Sequence, residues 1–111
     1  MGTTRYDIQI LQNASFSCTL RLFTDSLFTM PFDLSGYTVK SQAKETKTGT
    51  VRDLTISVEG SPVDGVITLF VPIEITAVIS NGLYDVLIHK SDQVVRILQG
   101  RVVVDPGVTL R

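Results

Sequence analysis

The chain has 111 residues with ten basic and eleven acidic side chains, so its formal net charge is −1 at pH 7. Duplex DNA and anionic membranes attract proteins with a concentrated positive field, and this balance argues against both partners. The length suffices for one domain with a modest core and is too short for two of ordinary size. We therefore predict a single domain over residues 1–111, with short flexible ends at about 1–4 and 106–111, and no nucleic-acid or membrane partner.

Apolar and polar residues alternate along most of the chain, which is the pattern of strands with one buried face. The clearest run extends from Ala14 to Leu22, where alternate residues are apolar. Four further alternating runs are predicted as strands, at Tyr6–Ile10, Tyr37–Ala43, Leu54–Val58 and Ile67–Val71. A polar loop, Glu45–Gly49, is expected to follow the third of the five runs.

The C-terminal part of the chain is predicted to form a hairpin. Two β-rich runs between Asn81 and Asp105 flank a short polar turn that begins at Ser91. Before them, the spacing of apolar residues in Ile73–Ser80 predicts a short helical turn. Seven or eight short strands with frequent turn signals favour an all-β fold. We expect an antiparallel β-sandwich with jelly-roll or immunoglobulin-like connectivity.

The residues that usually carry catalysis are few. His89 is the single histidine, and its neighbours Ser91 and Asp92 are too close along one strand and turn to converge on it as a catalytic triad would. Cys18, the single cysteine, falls on the inward side of a predicted strand and is interpreted as a small buried hydrophobe. One histidine and one cysteine cannot complete a zinc site. We therefore predict no enzyme activity, no catalytic residues, no metal and no cofactor.

Other polar and aromatic residues are better explained by structure than by ligand binding. The aspartates that could coordinate calcium, Asp64, Asp85, Asp92 and Asp105, mostly lie at or near predicted turns. Tyr84 is predicted to hydrogen-bond back to the loop before its strand, as in a tyrosine corner, and Gly82 permits the close approach. The chain has no tryptophan on which a sugar could stack, so a glycan-binding module is the less favoured alternative.

The segment between residues 23 and 34 is unusually apolar for a connection between strands. A partner surface and a lid folded back on the core both explain it, because several large apolar side chains are costly to leave in water. Phe70 and Leu87, at predicted outward positions, point to a partner surface as well. The candidate interface residues are Phe23, Leu27, Phe28, Met30, Phe32, Phe70 and Leu87.

Six short motifs in a fixed order resemble a group of small structural proteins from the virions of tailed bacteriophages. They are Tyr-Asp-Ile-Gln-Ile, Asn-Ala-Ser-Phe-Ser, Phe-Asp-Leu-Ser-Gly-Tyr-Thr, Asp-Gly-Val-Ile-Thr-Leu, Asn-Gly-Leu-Tyr-Asp-Val and Val-Arg-Ile-Leu-Gln-Gly-Arg-Val-Val-Val. Together they cover about residues 6–110. The chain departs from the usual pattern at Ser26–Met30, where a polar loop rich in glycine or asparagine is more typical.

The resemblance implies a β-sandwich that serves as a structural part of the particle, most like a capsid decoration protein. Such a protein would be made in the host cytoplasm, bind the major capsid protein on the outside of the virion, and form a homodimer or another homo-oligomer. A domain of a baseplate or tail-fibre attachment protein is the alternative that the resemblance leaves open. Edge strands offer a second docking route, by strand addition, beside the apolar segment.

Overall fold

The computed structural model describes residues 4–23 and 30–106. Within these residues, eight strands and one short helix follow in chain order, with a 3₁₀ turn at Pro62–Asp64. They are β1 (Thr4–Arg5), β2 (Ile8–Leu11), β3 (Phe16–Arg21), β4 (Thr38–Glu45), β5 (Val51–Val58), β6 (Val66–Val71), α1 (Ile73–Thr76), β7 (Gly82–Lys90) and β8 (Gln93–Asp105). Of the predicted flexible ends, Thr4 belongs to β1 and Pro106 follows β8, whereas the remaining residues lie outside the described part of the chain.

Each predicted strand is present within a few residues of its predicted ends, and the predicted helical turn is α1. The first run is divided into two strands at Tyr6 and Asp7. The hairpin is confirmed, with a two-residue turn at Ser91 and Asp92. Its first strand shows why the pattern is informative, because Tyr84, Val86 and Ile88 are buried while the residues between them face outward. The all-β prediction is therefore confirmed.

The strands lie in the order β1-β8-β7-β4-β5-β6-β3, and β2 also pairs with β8. They form a mixed sheet that is nearly closed into a barrel. The first half of β5 pairs with β4, at residues 51–54, and its second half pairs with β6, at residues 55–58. Because β5 changes its partner along its length, it joins the two halves of the sheet.

Two features differ from the antiparallel sandwich that the sequence predicted. A two-sheet sandwich is not confirmed, since one sheet curls around the core. Both N-terminal strands pair with β8 in parallel, with Thr4 opposite Leu98 and Ile8 opposite Val102. Parallel neighbours need a long connection, and here the whole chain between β2 and β8 supplies it. Alternation within a strand carries no information on such a distant pairing.

The core lies inside the curled sheet, where the inward-facing residues of both halves meet. Its buried apolar members are Ile8, Ile10, Leu22, Leu34, Ala43, Leu54, Ile67, Leu69, Val71, Ile79, Tyr84, Val86, Ile88, Ile97, Leu98 and Val102. Two glycines permit close approach of strands around it. A Cβ at Gly82 would overlap the Lys44 carbonyl, and one at Gly100 would overlap the Tyr6 carbonyl. Only glycine fits at either position.

Candidate functional site

The apolar segment is fastened at both ends where it leaves and rejoins the sheet. Phe23 and Pro31 form an isolated antiparallel bridge, and the Phe32 amide donates a hydrogen bond of 2.8 Å to the Leu22 carbonyl. Met30, at the end of this segment, has 62% of its surface exposed to solvent. Phe23 is half-buried. The candidates Leu27 and Phe28 lie outside the described residues.

Phe32 belongs to the core margin rather than to an exposed surface. It is half-buried, packs against the core, and its ring centroid lies 5.9 Å from that of Tyr37. The two explanations of the apolar segment, a partner surface and a core lid, therefore apply to different residues within it. For Phe32, the structure shows the core lid that the sequence left as an alternative, whereas Met30 presents an apolar side chain to solvent.

The remaining interface candidates, Phe70 and Leu87, are on the outside of the sheet but not beside the apolar segment. Phe70 is exposed near the end of β6, opposite Ser17 and Thr55. Leu87 is half-buried on β7, with Lys40 of β4 opposite it. The seven candidates thus do not form one continuous patch among the described residues.

Tyr84 joins the N-terminal segment to the sheet. Its hydroxyl donates a hydrogen bond to the Tyr6 carbonyl, rather than to the loop before its own strand as the sequence predicted. Burial raises the pKa of Tyr84 far above its ordinary value. The interaction of Tyr84 is structural, and its partner lies near the opposite end of the chain.

Tyr6 in turn contacts the other edge of the sheet. The pKa of Tyr6 is raised above its ordinary value by Cys18, first through the charge of its thiolate and then through a hydrogen bond with the Tyr6 hydroxyl. Cys18 lies on β3, at one edge of the sheet, and Tyr6 lies between the two strands at the other edge. Cys18 is half-buried with a polar neighbour rather than being a fully buried hydrophobe.

An open groove of about 490 Å³ lies on the outside of the sheet. It crosses β8, β7, β4 and β5, and Arg5 of β1 contributes to one end. The strand register sets its lining: Lys44 lies between Leu83 on one side and Val51 on the other. Leu83 is 60% exposed and Val51 is 54% exposed. The full lining is Arg5, Gln42, Ala43, Lys44, Val51, Leu83, Tyr84, Asp85, Arg96, Gln99 and Gly100.

A β-bulge shapes one wall of the groove. The pairing between β7 and β8 shifts at Val86 and Leu87, so that Leu98 lies opposite Val86 whereas Arg96 lies opposite Leu87. Bulges bend the strand that carries the extra residue and redirect the side chains beside it. Here the Arg96 Nε lies 3.3 Å from an oxygen of Asp85, so the pair forms a salt bridge in the groove.

A buried carboxylate holds the other wall in place. Glu45, the last residue of β4, is only 4% exposed and accepts hydrogen bonds of 2.7 Å from both the amide and the hydroxyl of Ser80. Its second oxygen lies 3.4 Å from Arg52 and accepts a 3.4 Å bond from Thr48. The Ser80 hydroxyl first, and then the Ser80 amide and Arg52, hold the pKa of Glu45 below its usual range against the opposing effect of burial.

This carboxylate corrects the prediction of a polar loop beginning at Glu45. The residue before it, Lys44, lines the groove, and the hydrogen bonds to Ser80 fix the β4–β5 hairpin against the start of β7. A single glutamate beside a turn is normally exposed. Its burial follows from the packing of Ser80, which the sequence of the hairpin does not reveal.

The residues considered for chemistry remain apart. His89, Ser91 and Asp92 are all exposed, and within residues 4–23 and 30–106 no hydrogen bond joins His89 to the other two. Of the aspartates, Asp85 pairs with Arg96 and the others lie at separate turns or strand ends. Across the described ranges, no group of three His, Cys, Asp or Glu side chains could hold a metal ion. No helix in that part of the chain has the length and apolar character needed to cross a membrane.

Comparison with known protein families and with curated protein sequences finds no match. The resemblance to structural proteins of phage virions therefore stays a prediction. The geometry adds a groove that the sequence did not predict as a site. In the sequence, the groove corresponds to charged residues at outward positions, Lys44, Asp85 and Arg96, beside exposed aliphatic residues. These residues could be recognised as one site only once the order of the strands was known.

Proposed function

We propose that this chain is a non-enzymatic structural protein of a tailed-phage virion that binds the outer surface of the capsid and bridges neighbouring subunits. The major capsid protein would be its partner, and a homodimer its working form. Support comes from the order of the six sequence motifs and from one structural observation, the exposed Met30 at the end of a fastened apolar segment. The two halves of β5 pair with different strands, β4 and β6, as a strand shared by two packed layers would. We therefore keep a two-layer sandwich as the alternative description of the fold.

Met30 carries the proposal because its exposure has a cost that a partner would remove. Complete burial of a methionine side chain stabilises a protein or complex by about 1.5–3 kcal/mol, so covering this largely exposed residue contributes roughly 1–2 kcal/mol. The bridge between Phe23 and Pro31 holds the end of the segment against the sheet. Little backbone entropy is then lost when a partner covers Met30, which favours binding.

The proposal is tested by the binding of purified protein to particles that lack it. Met30→Asp should leave the melting temperature nearly unchanged, because the side chain is exposed, and should greatly reduce binding to capsids. Val78→Asp is the matched control: it introduces the same charge at an exposed apolar residue beyond α1, at the opposite end of β6 from the apolar segment. Equal capsid binding by both variants, or a collapse of folding in Met30→Asp, would contradict the proposal.

Copy number separates this placement from a baseplate or tail-fibre domain. On gels of purified particles, a decoration protein is present in proportion to the major capsid protein, whereas a baseplate component is present in a small fraction of that amount. A glycan-binding module would instead give specific signals on a glycan array. A low copy number would assign the protein to the baseplate or tail fibre instead of the capsid, and specific glycan signals would assign it a glycan-binding role.

A further inference from the structure

The groove carries a positive excess on a chain whose net charge is −1. Its charged lining consists of three cations, on Arg5, Lys44 and Arg96, and one carboxylate, on Asp85. Opposite charges on a ligand are attracted into such a concave site, because its protein walls reduce screening by water. The groove therefore favours an anionic occupant.

Three carboxylates lie in or beside the groove, on Asp85, Asp7 and Asp53, and Asp53 accepts a 2.6 Å hydrogen bond from the Gln42 amide. Asp85 pairs with Arg96 at 3.3 Å, and Asp7, outside the groove, pairs with Arg5 at 3.5 Å. Lys44 forms no ion pair with any residue in the described part of the chain. Its ammonium group is thus available to a ligand without the loss of an existing salt bridge.

Aliphatic surface lies directly beside this lysine. Leu83 and Val51 are the cross-strand neighbours of Lys44 on either side, and both are largely exposed. Their side chains offer an apolar contact on each side of a cationic one. The side-chain amide of Gln99, on the same surface, adds a group that can hydrogen-bond a peptide backbone.

We propose that the groove binds an extended acidic segment of a partner protein, with carboxylates on Lys44 and Arg96 and an aliphatic side chain against Leu83 and Val51. The volume of the groove lies in the range of sites that hold small ligands or a few residues, rather than a folded domain. This inference is independent of the virion proposal, because it uses only the charges and the register of the sheet.

The same observations disfavour two other classes of anionic ligand. Sugars stack on exposed aromatic rings, but Tyr84, the aromatic residue of the lining, is 3% exposed and donates its hydroxyl to Tyr6. Nucleic acids gain affinity from many phosphate contacts, and the groove has three cations accompanied by a carboxylate. An extended segment whose acidic and aliphatic side chains alternate at every second residue presents both kinds on one face, and so fits Lys44 and its neighbours better than either ligand.

The test uses the full chain, labelled with ¹⁵N, and the fluorescein-labelled peptide Glu-Ser-Leu-Ser-Glu-Ser-Leu as probe, which in extended form has its Glu and Leu side chains on one face. We expect the peptide to shift the amide resonances of Leu83, Gln99 and Lys44, and its affinity to fall as salt concentration rises. The uncharged peptide Gln-Ser-Leu-Ser-Gln-Ser-Leu should bind at least about tenfold more weakly, since it lacks the charge-assisted contacts.

Two variants and a control locate the site. Lys44→Glu should weaken binding of the acidic peptide by at least about tenfold, and Leu83→Ser by several-fold. Lys47→Glu makes the same charge change on an exposed turn residue outside the groove and should alter the affinity by less than about twofold. Equal weakening by the two lysine variants would show a general charge effect and overturn the proposal.

Two further results would also overturn it. The amide shifts could fall on another face of the sheet, which would exclude the groove as the peptide site. A heparin-derived oligosaccharide or a short single-stranded DNA could instead shift the groove resonances at lower concentration than the peptide does. The site would then be assigned to that class of ligand.

Discussion

Replacement of Glu45 by glutamine tests the buried network that holds the groove wall. The substitution would keep the size of the side chain but remove the charge that accepts two 2.7 Å hydrogen bonds from Ser80 and pairs with Arg52. The NH₂ group of the introduced amide is a donor, so it cannot replace the carboxylate oxygen that faces Arg52. We expect Glu45→Gln to lower the free energy of unfolding substantially while leaving the strands intact.

The magnitude follows from the contacts. A hydrogen bond to a charged group contributes about 1.5–3 kcal/mol, and a glutamine oxygen retains part of the interaction with Ser80. Leaving the partner of a buried ion pair without its counter-charge costs about 3–5 kcal/mol, which is an upper limit here because Arg52 reaches solvent. We therefore expect a loss of about 2–3 kcal/mol, measured by urea unfolding at neutral pH.

The difference between wild type and Glu45→Gln should depend on pH in a defined direction. The folded-state pKa of Glu45 is lowered, so the unfolded chain takes up a proton more readily than the folded one. The stabilisation is complete above the ordinary glutamate pKa of roughly 4.3 and is lost as the pH falls through the lower folded-state pKa. The two unfolding free energies should therefore converge in acid.

A matched substitution identifies the contribution of burial. Glu59→Gln removes the same charge from an exposed residue that accepts one 3.2 Å bond from Ser57, and it should change the stability by less than about 0.5 kcal/mol. Similar effects of the two substitutions at neutral pH, or a difference between wild type and Glu45→Gln that stays constant down to acid pH, would refute the account of Glu45.

Two further substitutions test the attachment of the N-terminal segment to the sheet and the hairpin turn. Tyr84→Phe removes the hydrogen bond to Tyr6 and should destabilise the fold by about 1–2 kcal/mol in thermal unfolding, whereas Tyr37→Phe should cost less than about 0.5 kcal/mol. Because the folded-state pKa of Tyr84 is raised, its contribution is complete below pH of roughly 10 and declines above it, and the phenylalanine variant should lack this alkaline loss. Ser91 has φ of 55°, so Ser91→Gly should stabilise the hairpin by roughly 0.5 kcal/mol, as relief of strain exceeds the entropy cost of glycine. Ser17→Gly, in β3, should instead destabilise by about 0.5–1 kcal/mol, and the same sign for both serines would contradict the strain argument.

The strands themselves could be predicted because each depends on local alternation. The run Ile67–Val71 was predicted as a strand from spacing alone, and the structure places Ile67, Leu69 and Val71 in the core. The division of the first strand at Tyr6 and Asp7 could not be predicted, because the break depends on how the N-terminal segment passes Gly100. The hairpin turn was located by its polar residues, which is again a local signal.

The functional surfaces were less predictable than the strands. The apolar segment was noticed from composition, yet only the structure separates Phe32, which packs on the core, from Met30, which is exposed. The groove was not predicted at all. Lys44, Leu83 and Arg96 come from three strands, and nothing in their spacing shows that they share a face until the neighbours of β7 are known.

By itself, the sequence determined that this protein is an all-β domain and which side of most strands is buried, because alternation with a period of two is imposed on each strand by its own backbone. Tertiary structure alone decided that the N-terminal strands pair in parallel with β8, that Tyr84 reaches Tyr6, and that Glu45 is buried. These contacts join residues far apart in the chain, and their free energy depends on the packing of the whole sheet rather than on any local pattern.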